Sequence, residues 1–460
     1  MKTFLAYGLL ILSATVSLSA ADPLDDAILQ RLKIGIGEYE QAVSSLAAAQ
    51  TAVVSATATT EFQKAKIVRE IRAAVIGDGC TIVRPSGVDD SAALQAAIDA
   101  KQWVFLSGVY TIKTPLTVIA PARLIGASGQ ATIHYAGAPT NRPVITVDGA
   151  NGESTGLHNL IVYGYHKARG VKFYRCCQPN SASNIWIRDA ITVGLDLVDC
   201  WVGRFSGIRV STCRGVTLRT YRFNNGVIDG LDISSCSAFW PTDMTTPTAA
   251  NSANIAMTRY MCEHGIVAAR AHYGAELHES WPTLTTKPTG VEAADSDAWV
   301  PEANRALIVL LQGSTQRFTN VTVQASYCGD FPVIHSQAQG ARFEQFYTEY
   351  VWCKDAAVVL DGHSPNGWGA CNHTFQDCNL DFGTDVLPNT DTVGKPLYFV
   401  RCEGYARNTH VDQVLSVYGA IAKGMIRTVG TGNTNAVVER LLCQDVGGNY
   451  TTAVKGIVEE

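Results

Sequence analysis

Apolar residues recur at alternate positions in short runs along this chain, and many runs close on a cysteine after two spacers. The phrase appears at Val171-Phe173-Cys176, Leu195-Leu197-Cys200, Ile208-Val210-Cys213, Leu231-Ile233-Cys236, Val323-Ala325-Cys328 and Leu397-Phe399-Cys402, with looser copies at Thr348-Tyr350-Cys353 and His373-Phe375-Cys378. Alternation marks a strand with one buried face, and repetition every 20–50 residues marks a stacked solenoid. Cys328, Cys353, Cys378 and Cys402 follow one another at 25, 25 and 24 residues. Together these patterns predict a parallel β-helix in which each coil lays one Cys on the Cys beneath it. A second pattern, Asn/Gly-apolar-x-apolar, runs through Asn159-Leu160-Ile161-Val162, Asn184-Ile185-Trp186-Ile187, Gly207-Ile208-Arg209-Val210, Asn254-Ile255-Ala256-Met257 and Asn320-Val321-Thr322-Val323. Second short strands are expected near Gly170, Gly194, Gly215 and Gly265. At about 24 residues per coil, positions 110–445 make on the order of a dozen coils, roughly 60 Å long at strand spacing.

The pattern divides the chain. Residues 1–21 read as a signal peptide or a retained apolar N-terminus, with Lys2 at the positive end and Ser19-Ala20-Ala21 as a small-residue cleavage site. Residues 22–76 are Ala-rich with partial helical spacing, a helical neck or stalk. Residues 77–112 open with Gly77-Asp78-Gly79. Asp89 and Asp90 then supply an N-cap carboxylate before a short helix with Leu94, Ala97 and Ile98 on one face. Trp103-Val104-Phe105-Leu106 and Val109-Tyr110-Thr111-Ile112 follow as two strands about a tight turn at Ser107-Gly108. This block, from Asp78 to about Ile112, resembles the opening of the pectate-lyase-like family of right-handed parallel β-helices, which includes polysaccharide lyases, glycoside hydrolases and phage tailspikes. It departs from the family at Ser107, where Pro is usual. The resemblance implies an all-β chain, a right-handed parallel β-helix whose open end is plugged by the helix. The β-helix is expected over 113–404 with insertions at 237–253 and 273–304 and a further loop from His363 to Ala370. Residues 405–460 read as a C-terminal cap or oligomerisation segment.

Composition narrows the partners. Only 17% of the 460 residues are charged, which suits extensive burial. A net charge of −5 without a Lys/Arg run argues against nucleic acid. Thirteen cysteines cannot all pair. Stacked in a core they act as small hydrophobes, and during folding in an oxidising compartment they are a liability. The leader points to export and the thiols point the other way, so the location is either extracellular or a virion tail.

Candidate chemistry follows from register. His264, Asp330 and Asp355 each stand two residues after a cysteine, Cys262, Cys328 and Cys353. If those coils are neighbours, Asp330 and Asp355 lie about 5 Å apart, the spacing of a retaining glycosidase pair. The same carboxylates could hold a divalent cation such as calcium if the protein is a lyase, with His264 as base. Asp is equally a common turn residue. Glu349 falls on Gln324 and is a further acid. Tyr327 and Trp352 precede the cysteines and could form an aromatic step for sugar rings, or cover the core at a bend. Arg317 and Arg342 repeat at 25 residues; they could clamp a uronate or sulfate, or pair with Glu344. Trp281, in the longer insertion, is a further substrate contact. Cys262-Glu263-His264 with His272 and His278 lacks metal-site spacing, so no metal site and no other cofactor is expected.

These readings predict a carbohydrate-active enzyme that depolymerises a surface or matrix polysaccharide along the β-helix flank, by hydrolysis or by elimination. The family resemblance and the stalk-then-solenoid order imply a homotrimeric phage tail component. The leader implies an independently secreted enzyme instead. The alternative is a receptor-binding fibre or adhesin that grips polysaccharide without cutting it.

Overall fold

The alternating apolar positions become two sheets wound from one chain. In this computed structural model the described residues are 80–238 and 306–459, apart from short gaps at 101–102, 127–130, 139, 141, 150–154, 166, 178–180, 330, 354, 364–368, 383–395, 417–423, 430–434, 445–449 and 452–454. Twenty-six strands are numbered in chain order. The larger sheet runs through β1 (Cys80–Val83), β2 (Trp103–Leu106), β5 (Arg123–Gly126), β8 (Gly156–Tyr163), β10 (Ser181–Arg188), β12 (Arg204–Ser211) and β14 (Val227–Ser234). It continues through β16 (Arg317–Gly329), β18 (Arg342–Cys353), β20 (Thr374–Phe382), β22 (His410–Ser416), β24 (Val437–Gln444) and β25 (Tyr450–Thr451). Strands β3 (Val109–Ile112) and β6 (Ala131–Tyr135) join it beside β8. The smaller sheet stacks β4 (Leu116–Ile119), β7 (Pro143–Asp148), β9 (Arg169–Tyr174), β11 (Ile191–Val198), β13 (Arg214–Tyr221) and β15 (Ile308–Leu311). Above these lie β17 (Ile334–Ser336), β19 (Ala356–Asp361), β21 (Tyr398–Glu403), β23 (Gly424–Val429) and β26 (Lys455–Glu459). Among the described residues, only β24 and β25 pair antiparallel. The chain is a right-handed parallel β-helix.

Single residues in the left-handed region make the corners. Asn159, Asn184, Gly207, Gly230, Asn320, Gln345, Asp377, Gln413 and Arg440 stand on successive rungs of the larger sheet, with φ between 49° and 71°. Three more columns do the same work elsewhere in the coil. One is Val202, Asn225, Thr315, Gly340, Asn372, Asn408 and Asn435; another is Asp189, Thr212, Ser235 and Ala325; the last is Arg175, Asp199, Arg222 and Gln312. Asn, Asp and Gly tolerate this conformation best, which explains the Asn/Gly that opens each repeat. The corner breaks the alternation, so inward residues step by three and then by two, as in Phe318, Val321 and Val323. Amide side chains stack along the columns, with Asn184 Nδ2 donating to Asn159 Oδ1 at 2.9 Å and Asn408 Nδ2 to Asn372 Oδ1 at 2.7 Å.

Register holds within runs of equal coils and fails where a coil lengthens. Arg317 pairs with Arg342, Phe318 with Phe343 and Gln324 with Glu349, as the 25-residue spacing predicts. Inside, Phe318, Phe343 and Phe375 stack face to face, with centroids 4.6 and 5.2 Å apart. The single cysteine ladder needs correction. Cys213 neighbours Cys236, Cys328 has Cys236 and Cys353 near it, and Cys176 and Cys200 form a separate pair. Arg342 pairs with Thr374, 32 residues on, because the loop after Asp361 extends that coil. Cys378 therefore falls beside Phe346, and Cys402 belongs to the other sheet opposite Leu360. The expected coil around Cys262 lies outside the described residues; β14 bonds directly to β16 and β13 to β15.

At the entry end, α1 (Ser91–Asp99) buries Leu94 and Ile98, with Ala97 packed on the same core. The carboxylate of Asp90 does not cap this helix. It accepts from the backbone N–H groups of Ser86 and Thr111, tying the helix start to β3, while Asp89 accepts from Ser91. The two strands about Gly108 do not form a hairpin either; β2 pairs with β5 and β3 with β6.

A buried ion triad sits across β9, β11 and β13. Asp196 accepts from Arg219 Nε at 2.8 Å and Nη2 at 2.6 Å, and from Arg169 Nη2. All three side chains are 2% exposed or less. Asp196→Asn strips the charge from between two buried guanidinium groups and should cost about 3–5 kcal/mol, read as a lowered denaturation midpoint. At the corner of β12, Gly207 has φ 57° and room for a Cβ, the nearest atom being 3.6 Å away. Gly207→Asn should be nearly neutral in the same measurement, and Gly207→Val should lose about 1–2 kcal/mol from the left-handed backbone alone.

Candidate functional site

The corners of the larger sheet determine what its outer surface presents. Outward residues before and after each left-handed corner form separate columns, with rungs about 4.8 Å apart. After the corner, one column reads Ile161, Trp186, Arg209, Asp232, Thr322, Tyr347 and Asn379, and the next reads His134, Tyr163, Arg188, Ser211, Ser234, Gln324 and Glu349. The first rungs of these columns build a continuous strip of rings and guanidinium groups. His134 meets Tyr163 edge-on at 4.8 Å, and Tyr163 stacks on Tyr165 at 5.4 Å. Arg188 lies 4.8 Å over the Tyr163 ring and 4.6 Å over Trp186, and Arg209 covers Trp186 at 4.5 Å. Arg188 Nη1 also donates to Tyr163 Oη at 2.6 Å, and Trp186 Nε1 to Ser211 Oγ at 2.8 Å. The indole and phenol are thus packed between neighbours along the stack, beside the exposed guanidinium of Arg209, a surface suited to a sugar bearing a negative group.

Asp232 ends the strip. Its Oδ2 lies 3.1 Å from Arg209 Nε, and its buried Oδ1 has no hydrogen-bond partner. Burial raises its pKa, with Arg209 acting the other way. Across the Gly230 corner from Asp232, a hollow of about 440 Å³ opens over the rungs of β14, β16, β18 and β20. Its lining includes Asp229, Arg317, Thr319, Arg342, Glu344, Gln376 and Asp377. Arg317 Nη2 donates to Glu344 Oε2 at 2.7 Å, Arg342 Nε pairs with Glu344 Oε1, and Arg342 Nη2 donates to Gln376 Oε1 at 2.9 Å. Both arginines remain about half exposed, at 56% and 51%.

The residues singled out by sequence distribute unevenly. Arg317 and Arg342 are stacked on adjacent rungs, with Glu344 between them. Glu349 stands on Gln324, whose Nε2 donates to Oε2 at 2.6 Å. The backbone register sets Tyr327 opposite Trp352, and one residue later a bulge shifts it so that Gly329 faces Cys353. Asp355 stands just before β19 of the smaller sheet, ion-paired to Arg401 with Arg427 at 3.7 Å. Asp330, His264 and Trp281 lie outside the described residues. The ring-and-arginine strip was missed, although Ile161, Trp186 and Arg209 are the outward letters of the very repeats that reveal the strands. Among the described residues, two groups of side chains offer metal-ligand atoms, Asp361 with His363 and Glu403, and His410 with Asp412 and Glu439.

A buried histidine, His373, and a half-buried one, His158, make the fold sensitive to acid. Burial, reinforced by Arg123, lowers the pKa of His158 to about 4, and burial lowers that of His373 to about 4 as well. Unfolded histidines take up protons near 6.5. The stability these groups contribute is complete above that value and declines as pH falls towards 4. The denaturation midpoint should therefore drop between pH 7 and pH 5. His158→Gln, which keeps a partner for Ser183 Oγ, now 2.7 Å from His158 Nδ1, should flatten part of the drop.

No protein-family model matches this chain, and no curated protein matches it. Among solved structures it is similar to ORF18 of Geobacillus virus E2, at 11% identity and TM-score 0.42, over 83% of this chain and 63% of that one. It is also similar to the Dettilon tailspike protein gp208, at 11% identity and TM-score 0.40, over 80% and 69% of the two chains. The A-module of the Azotobacter vinelandii mannuronan C-5 epimerase AlgE4 is similar at 12% identity and TM-score 0.36, over 83% and 95%. The chain thus spans less than two thirds of the Geobacillus virus protein. The coil is read from this chain's own strand pairing.

Proposed function

We propose that the protein grips an extended acidic polysaccharide along the outer face of the larger sheet and cleaves it beside Asp232. The observation that carries this reading is the strip from His134 to Arg209, in which rings and guanidinium groups alternate over successive rungs. The exposed Tyr165 ring and the outer edges of the stacked rings meet the sugar rings. Arg188 and Arg209 meet carboxylate or sulfate groups, and Arg317 and Arg342 extend the same recognition across the corner. A polymer lying along the coil meets a new rung about every 4.8 Å, so several weak contacts add along its length.

Asp232 supports cleavage rather than grip alone. A carboxyl with a raised pKa keeps its proton closer to neutral pH, and a glycosidic oxygen needs such a donor as its bond breaks. Arg209 beside it would stabilise the carboxylate left after transfer. Such polymers lie outside cells, which agrees with a secreted or virion-tail setting, and the expected homotrimer is checked by light scattering of the full chain.

The test is a panel of acidic and neutral polysaccharides assayed for binding, for new reducing ends and for unsaturated uronate absorbance. Trp186→Ala with Arg188→Ala should weaken binding of the acidic members at least tenfold, and unchanged binding would remove the strip from the reading. Asp232→Asn should bind normally and release no product. Full activity in that variant would place cleavage elsewhere, and wild-type binding without any product would make the protein a fibre or adhesin.

A further inference from the structure

We propose that Asp361, His363 and Glu403, backed by His335, bind a divalent cation of the zinc class. Asp361 closes β19 and Glu403 closes β21, and the two are direct register partners on neighbouring rungs. Two carboxylates stacked in this way repel each other unless a cation lies between them. Arg401 takes only one side of this charge, with its Nε 2.7 Å from Glu403 Oε1. His363 turns back over the pair, its Nδ1 2.9 Å from Asp361 Oδ1. One donor atom from each of the three residues lies within 4.8 Å of the others.

Two further features point to a ligand. His335 is 4% exposed, and its Nε2 has no hydrogen-bond partner while lying 3.6 Å from Asp361 Oδ2. His335 thus backs Asp361 from the buried side at a distance too long for a good hydrogen bond, while the other carboxylate oxygen, Oδ1, faces His363. Behind a metal-bound Asp361, His335 and Gln337, whose Nε2 donates to Oδ2 at 2.8 Å, would hold the carboxylate in its ligating orientation. The second feature is Gly404. It has φ 61°, and a Cβ there would come within 2.8 Å of the His363 ring. The backbone after Glu403 is thereby kept bare where the imidazole must sit.

The donor set selects the cation class. Calcium and magnesium prefer all-oxygen ligation, whereas imidazole with carboxylate suits zinc and its first-row neighbours. The second cluster is less suited, because Arg440 already holds both oxygens of Asp412.

Full-length protein freed of metal with chelator is titrated with zinc chloride and, separately, calcium chloride by calorimetry. One saturable zinc site is expected, with calcium far weaker. Asp361→Asn with His363→Ala should abolish it, His335→Ala should weaken it about 10–100-fold, and His410→Ala should leave it unchanged, with circular dichroism confirming each fold. Cobalt substitution should give a nitrogen- and oxygen-ligated spectrum. Zinc binding that survives the double variant, a thiolate charge-transfer band, or no saturable binding would overturn the assignment. None of these readouts depends on polysaccharide binding.

Discussion

From Asn159 onward, the turns of this coil depend on residues that accept left-handed backbone at the corners. A non-glycine residue there costs about 1–2 kcal/mol, repeated rung after rung. Asn, Asp and Gly reduce the cost, and stacked Asn amides return part of it as hydrogen bonds between rungs. Because the rungs are in parallel register, a corner fixed on one coil is fixed on the next. Inward positions then fall in columns such as Phe318, Phe343 and Phe375, and outward positions become columns of surface chemistry. Core and surface are therefore set by one backbone condition.

That condition explains what the sequence made legible. The Asn/Gly-apolar-x-apolar repeat revealed the larger sheet because corner chemistry and core chemistry coincide in it. Arg317 over Arg342 and Gln324 over Glu349 followed because their coils are of equal length. The cysteine ladder misled at Cys378, where a 32-residue coil makes a 25-residue spacing accidental. Loop length costs little entropy as it grows, so a lengthened coil leaves no mark on the apolar phrases around it. The strip from His134 to Arg209 was hidden for a different reason. Outward positions carry no hydrophobic period, and only the registered columns show that Trp186 and Arg209 touch.

The outer faces are laced with ion pairs between rungs, such as Arg175 with Asp148, Arg222 with Asp199 and Arg209 with Asp232. Exposed pairs of this kind each contribute at most about 1 kcal/mol to stability. An acidic sugar that displaces one protein carboxylate from an arginine replaces a contact of the same type. Surface recognition can thus be rearranged without disturbing the core that holds the rungs together.

The rung formed by β14 has one more consequence. Ser237 is hydrogen-bonded to Gly215, and Leu307 to Thr217 and Leu218, so the chain leaves and rejoins the stack along a single short stretch of β13. Leaving residues 239–305 out of the count, the step from Val227 to Arg317 is 23, the same as from Arg204 to Val227. The described residues on the two sides of that interval therefore meet in phase, and a change that keeps Ser237 and Leu307 on β13 leaves the described rungs in step.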